Sequence, residues 1–221
     1  LIDMFEQDKL DGGWVCSAPY VRYKSLQRLL AVPVWQGEPF YQSYLIVPKG
    51  DTTTRSIADL RGKIFAYSDP DSNSGYLVAQ GDIVRLGADP KTFFSKTMFT
   101  YAHRKSVEAV ADGLVDGARV DGYIYDQLNK FYPDMIAKTR LAEKSDKFGF
   151  PPMVARADLP EAEFQKLRAT LLNMQNDAEG RELLAAMGLD KFIAGDDKLF
   201  DGVSALIKEV EGTGGKRVKK F

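Results

Sequence analysis

A short apolar strand, followed by a serine- and glycine-containing turn and then a helix, constrains this fold more than any other part of the sequence. Residues 63–67, Lys-Ile-Phe-Ala-Tyr, have the apolar run of a buried strand. Residues 76–86 carry apolar side chains at helical spacing, and the turn at residues 69–75 joins the two segments. Because strand–turn–helix units build α/β folds, the sequence predicts alternating strands and helices.

The turn also places hydroxyl groups and a glycine at the start of the predicted helix. The first turn of a helix leaves backbone N–H groups unpaired and carries partial positive charge, which suits a phosphate or a carboxylate. Ser72 and Ser74 add hydroxyl donors, and Gly75 lets a ligand approach the backbone. The alternative interpretation is that Ser72 or Ser74 only caps the helix.

The same alternation continues on both sides of this unit, with glycine and proline ending several segments. The last third of the chain is predicted to be helical. Elsewhere the pattern predicts helices over residues 1–10, 21–30, 104–112 and 123–131, and strands over residues 30–35, 41–47, 95–101, 117–120 and 151–156. We therefore expect an α/β fold with largely parallel sheet, in which ligands bind at the carboxyl ends of strands.

Two further polar residues come directly after predicted strands. His103, the only histidine of the chain, follows the strand at residues 95–101 and can donate a hydrogen bond to an anion. Its alternative role is that of a surface or capping residue. Asp121 follows the strand at residues 117–120 and can accept a hydrogen bond from a protonated ligand oxygen, or it can serve only the turn.

Composition argues against several classes of function. The formal net charge of −1 gives no electrostatic case for binding nucleic acid. The single cysteine, Cys16, excludes an intramolecular disulfide and a cysteine cluster for a metal. No nucleophile motif or metal-ligand spacing occurs, so the sequence predicts a binding protein without a cofactor rather than an enzyme. The basic segment at residues 216–220 is predicted to be a solvated tail or a linker.

Several pieces of the chain resemble the solute-binding proteins of phosphate, phosphite and phosphonate ABC transporters, in the family's order. Residues 69–76 are the most specific piece and are similar to the signature Asp-Pro-x-Ser-Thr-Ser-Gly-Tyr, with Asn73 in place of threonine. Residues 41–47 resemble the family's aromatic-x-Ser-x-Leu-Ile-Val strand. Residues 102–116 resemble its histidine-containing segment, and the resemblance covers nearly the whole chain.

The resemblance implies a two-lobed periplasmic-binding-protein-like fold of type 2 with a two-strand hinge. Residues 1–48 and 152–221 would form one lobe, and residues 49–151 the other. The family's first strand and helix would lie upstream of Leu1. The residues that the resemblance places at the oxyanion, in the cleft between the lobes, are Tyr41, Ser72, Asn73, Ser74 and His103.

The function implied is that of a periplasmic or otherwise extracytoplasmic solute-binding protein. It would act as a monomer, capture a small oxyanion and deliver it to the membrane permease of an ABC transporter. A membrane anchor is left open, and so is the ligand: phosphate, phosphite, a methyl-type phosphonate or a compound without phosphorus. The alternatives are a ligand-sensing extracytoplasmic domain of a signalling protein, and a small-molecule effector domain or an enzyme of the same fold.

Overall fold

The computed structural model describes residues 2–7 and 9–212 and divides the chain into two compact units. Unit 1 comprises Leu1–Tyr41 and Phe148–Ser204, and unit 2 comprises Gln42–Lys147 and Ala205–Phe221. The basic segment at residues 216–220, predicted to be a tail or linker, lies outside the described residues.

The helices and strands alternate along the chain, as the sequence pattern predicts. In chain order they are α1 (Ile2–Glu6), β1 (Gly12–Trp14), α2 (Ser17–Arg22), β2 (Gln27–Val34), β3 (Phe40–Pro48), β4 (Ile64–Tyr67), α3 (Val78–Arg85), β5 (Lys96–Phe99), α4 (His103–Ala111), β6 (Gly117–Asp121), α5 (Gly122–Phe131), α6 (Pro133–Ile136), β7 (Thr139–Gly149), β8 (Met153–Arg156), α7 (Glu161–Asn173), α8 (Ala178–Met187), β9 (Lys191–Ile193) and α9 (Asp201–Gly212). Within this described part, no helix combines the length and the apolar character needed to cross a membrane.

Unit 1 is built on a four-stranded sheet in the order β1-β8-β2-β9, and each neighbouring pair is antiparallel. An aromatic cluster surrounds Phe150, whose ring centroid lies 6.4 Å from that of Trp14 and 6.3 Å from that of Trp35. The indole N–H of Trp14 donates to the Pro151 carbonyl oxygen at 2.7 Å. This partner lets the indole pack in the cluster without leaving its polar atom unpaired.

Unit 2 is built on a five-stranded sheet in the order β5-β4-β6-β3-β7. Strand β4 is parallel to β5 and to β6, whereas β3 is antiparallel to β6. Side chains alternate between the two faces of a strand. One face of the sheet packs against α4 and α5, and the other packs against α3. The carboxyl ends of β4, β5 and β6 therefore meet the amino-terminal part of β3 at one edge.

The α/β fold class predicted from the sequence is confirmed, but the sheets are mixed and less parallel than predicted, because the described parallel pairings are those of β4 with β5 and β6. Unit 1 differs because its central strand β8 comes from a distant part of the chain and runs antiparallel to both neighbours, β1 and β2. The helix predicted over residues 21–30 is wrong: α2 ends at Arg22, and β2 begins at Gln27.

Candidate functional site

The edge of the unit 2 sheet where parallel strands end collects polar side chains. Ser68 directly follows β4, His103 opens α4 after β5, and Asp121 is the last residue of β6. On β3, Ser43 lies opposite Asp121 in the strand register. Residues far apart in sequence are therefore brought to one place by the strand order.

The turn after β4 forms a single π-helical turn, Asn73–Leu77, immediately before α3. Ser72 Oγ accepts the N–H of Gly75 at 2.9 Å, and the Ser72 carbonyl oxygen accepts the N–H of Leu77 at 3.0 Å. The capping role weighed for Ser72 is thus present. The hydroxyl proton of Ser72 is not used in that bond, so this side chain can both cap the turn and donate to a ligand. Single π-helical turns occur frequently at functional sites.

Ser74 lies inside this turn and is fully buried, as is its neighbour Asn73. The Ser74 carbonyl oxygen accepts a hydrogen bond from Ser43 Oγ at 2.6 Å, which ties the turn to β3. The Ser74 hydroxyl itself has no hydrogen-bond partner among the residues that the structure describes. A buried unpaired hydroxyl costs about 1–3 kcal/mol, so Ser74 holds an unused donor at the start of α3.

His103 is held in one tautomer by the neighbouring strand. Its Nδ1 accepts the backbone N–H of Asp121 at 3.2 Å, so the ring proton of the neutral imidazole lies on Nε2. Burial lowers the pKa of His103 to about 4, and the ring is therefore neutral at physiological pH. The histidine offers a fixed, uncharged N–H donor beside the turn.

Asp121 has a structural role of its own, which is the turn interpretation weighed for it. Its Oδ1 accepts the N–H of Ile124 at 3.2 Å and caps α5. Burial raises the pKa of Asp121 to about 7, although backbone hydrogen bonds from Ile124 and Tyr123 act in the opposite direction. The carboxyl group therefore changes protonation near neutral pH.

The predicted site residues of unit 2, Ser72, Asn73, Ser74, His103 and Asp121, gather at this edge. Tyr41 belongs to unit 1, where it is buried with its ring centroid 5.8 Å from that of Phe150. Within the described residues, no group of three or more His, Cys, Asp or Glu side chains is placed to hold a metal ion.

Two serines of this edge were missed by the sequence analysis. Ser43 contributes the hydrogen bond to the turn, and Ser68 lies buried at the end of β4. Both carried a signal that could have found them. Ser68 is the first residue after the apolar run of residues 64–67, and Ser43 is the serine of the strand motif at residues 41–47.

Comparisons with known proteins identify the family of this chain. A family model described as "ABC transporter, phosphonate, periplasmic substrate-binding protein" matches residues 1–200. A curated relative, the phosphonates-binding periplasmic protein of Escherichia coli K12, is 29% identical over 182 residues, which make up 80% of this chain and 53% of the relative. The chain thus spans about half the length of that relative.

Solved structures share the fold. A binding protein component of an ABC phosphonate transporter from Pseudomonas aeruginosa superposes with a TM-score of 0.86 at 27% identity, over 96% of this chain and 72% of that one. PhnD1 from Prochlorococcus marinus, solved in complex with methylphosphonate, gives a TM-score of 0.84 at 18% identity, over 95% of this chain and 82% of that one. The family model matches most of the length of this chain, which therefore belongs to the family of periplasmic phosphonate-binding proteins of ABC transporters.

Proposed function

We propose that this chain is a solute-binding protein that captures a small phosphorus oxyanion, of the phosphonate class, for an ABC transporter. The observation that carries the proposal is the set of uncharged donors at the edge of the unit 2 sheet. Ser74 Oγ has no partner in the described structure, and His103 Nε2–H is fixed by the bond that Nδ1 accepts. Both belong to a chain whose family is defined by phosphonate binding.

The chemistry of a phosphonate explains why such donors suffice. Its oxygens are strong acceptors on one tetrahedral centre, and hydrogen bonds to an anion are stronger than those between neutral groups. The helical turn continues into α3, whose dipole adds partial positive charge at this end. A cationic side chain is therefore not required to hold the anion.

The remaining roles are part of the same proposal. Ser72 and Asn73 contribute further contacts from the turn, and Asp121 accepts a hydrogen bond from a protonated ligand oxygen. Tyr41 is a candidate contact from unit 1 that the family resemblance implies. The protein acts outside the cytoplasm as a monomer, without enzymatic activity, and delivers its ligand to a membrane permease.

Calorimetric titration of the purified chain with methylphosphonate, phosphite, phosphate, sulfate and acetate tests the proposal. We expect binding of at least one phosphorus compound and weaker binding of acetate. Ser74→Ala should weaken that binding by about 1–3 kcal/mol, because one donor to a charged group is lost. Ser204→Ala is the matched control, since its hydroxyl already donates to the Phe200 carbonyl oxygen at 3.1 Å.

A thermal-shift series gives an independent check. Ligand at about 100 times its dissociation constant adds roughly 2.7 kcal/mol to the free energy of unfolding. Stabilisation by acetate alone, or by none of the five anions, would contradict the proposed ligand class.

A further inference from the structure

Ser68 is a buried polar residue at the candidate site that neither the family resemblance nor the sequence pattern assigns. It directly follows β4, and its backbone N–H donates to the Gly75 carbonyl oxygen at 3.2 Å. Only 2% of the residue is exposed. In the part of the chain that the structure describes, Ser68 Oγ has no hydrogen-bond partner. The segment between β4 and α3 therefore holds two buried hydroxyl groups, of Ser68 and Ser74, that have no hydrogen-bond partner in the described structure.

The Ser68 hydroxyl lies against the Gly75 backbone. A Cβ atom built on Gly75 would lie 1.8 Å from Ser68 Oγ and 3.1 Å from His103 Cε1. The hydroxyl and the imidazole therefore flank the same point beside the glycine backbone. Only a residue without a side chain fits at position 75, because Ser68 Oγ and His103 Cε1 lie where a Cβ atom would project.

The polarity of these groups matches one class of ligand. His103 accepts through Nδ1 from Asp121, which leaves Nε2–H as a donor next to the Ser68 hydroxyl. Together with Ser74 Oγ, the turn offers two hydroxyl groups and one imidazole N–H. A phosphonate has three oxygens on a tetrahedral centre and can use all three donors, whereas a carboxylate has two oxygens in one plane.

We infer that Ser68 is a further ligand-binding residue, whose hydroxyl donates to an oxygen of the phosphorus oxyanion beside the N–H of His103. This inference rests on the proposed function and extends it. Ser68 stays buried and unpaired in the protein because its donor serves the ligand rather than the fold. Three side-chain donors, which follow strands β4 and β5, contact the oxygens of the tetrahedral ligand.

The test compares the affinities of wild type, Ser68→Ala and Ser204→Ala for methylphosphonate, phosphite and inorganic phosphate by calorimetry. We expect Ser68→Ala to weaken the binding of the preferred anion by about five- to a hundredfold. Its melting temperature without ligand should stay equal or rise, because a buried unpaired hydroxyl is removed. Ser204→Ala should bind like wild type.

Nitrogen NMR of the single histidine separates a direct contact from an effect through His103. In Ser68→Ala the imidazole should keep its Nε2–H tautomer without ligand and should still shift when methylphosphonate is added. A changed tautomer without ligand would overturn the inference, since Ser68 would then act by positioning the histidine. Ser68→Gly, which also removes the hydroxyl donor, should lose affinity in the same way and replaces Ser68→Ala if that variant fails to fold.

An affinity of the Ser68 variants within about twofold of wild type would also overturn the inference, because a lost donor to an anion costs more than that. Wild type that binds none of the three phosphorus anions would instead remove the proposed function, and this inference with it.

Discussion

Unit 2 contains two buried polar clusters, one built on ion pairs and the other on neutral hydroxyl groups. In the charge cluster, Arg119 on β6 is buried and lies 2.6 Å from an Asp82 carboxylate oxygen, and it also contacts the Glu143 carboxylate. In the donor cluster, Ser68 and Ser74 are buried without hydroxyl partners in the described structure. The charge cluster pairs its ions within the protein, whereas the donor cluster keeps donors unused.

We propose that this difference separates residues that stabilise the fold from residues that serve binding. Burial raises the pKa of Asp82, and the Arg119 guanidinium opposes that rise. A buried carboxylate thus depends on its partner for its charged state. The donor cluster contains no such dependence, because hydroxyl and neutral imidazole groups are tolerated without an ion pair. We therefore expect the charge cluster to respond to mutation in stability, and the donor cluster in affinity.

The largest expected effect is on stability, from Arg119→Met. The variant leaves the Asp82 and Glu143 carboxylates without their buried partner, and we expect a loss of about 3–5 kcal/mol in the free energy of unfolding, measured by urea denaturation. The control is Lys24→Gln, which breaks a half-exposed pair with Asp197 at 2.5 Å and should cost no more than about 1 kcal/mol. Equal losses in the two variants would remove the distinction between a buried and an exposed pair.

The next effect tests the close approach inside the donor cluster. Gly75→Ala places a methyl group against Ser68 Oγ, and we expect it to cost about 1–3 kcal/mol of stability through overpacking. Ser68→Gly in the same chain removes the atoms that clash and should restore part of the loss. Gly50→Ala is the control, because nothing lies within 4 Å of its Cβ position. If the effects of Gly75→Ala and Ser68→Gly on the free energy of unfolding are additive, the two side chains are not in contact.

A further effect is a change of stability with pH, and its two sources have opposite signs. The pKa of Asp121 is raised to about 7, so its contribution to stability is complete in acid and is lost as the pH rises towards 7. The pKa of His103 is lowered to about 4, so its contribution is complete near neutral pH and is lost as the pH falls towards 4.

Two variants separate these contributions in urea denaturation between pH 4 and pH 8. Asp121→Asn keeps a capping side chain for α5 and should flatten the loss of stability between mildly acidic and neutral pH. His103→Gln should flatten the loss on the acidic side. Unchanged slopes in both variants would show that the two groups titrate with ordinary pKa values.

The sequence predicts the part of the donor cluster that is encoded locally. Ser72, Ser74 and Gly75 lie in one turn, and His103 follows a strand, so the strand ends alone bring them to the edge of an α/β sheet where ligands bind. Ser68 carries only the weak signal of following an apolar run, and its close approach to Gly75 depends on tertiary packing.

Two elements of the fold also show the limit of prediction from local sequence patterns. Strand β7 was missed because charged residues at positions 143, 144, 146 and 147 obscure the apolar alternation, as is common in strands at the edge of a sheet. The helix predicted over residues 21–30 failed where β2 takes up residues 27–34. There the pairing of β2 with β8 and β9 outweighs the local helical spacing.

The π-helical turn at Asn73–Leu77 fixes the length of the segment that carries the site. One residue corresponds to about 100° of rotation around an α-helix. Deleting a single residue from this turn would therefore rotate the face of α3 that carries Ala79 and Ile83 away from the sheet core. Substitutions at these positions can change the site, whereas insertions and deletions there would disturb the packing of the whole helix.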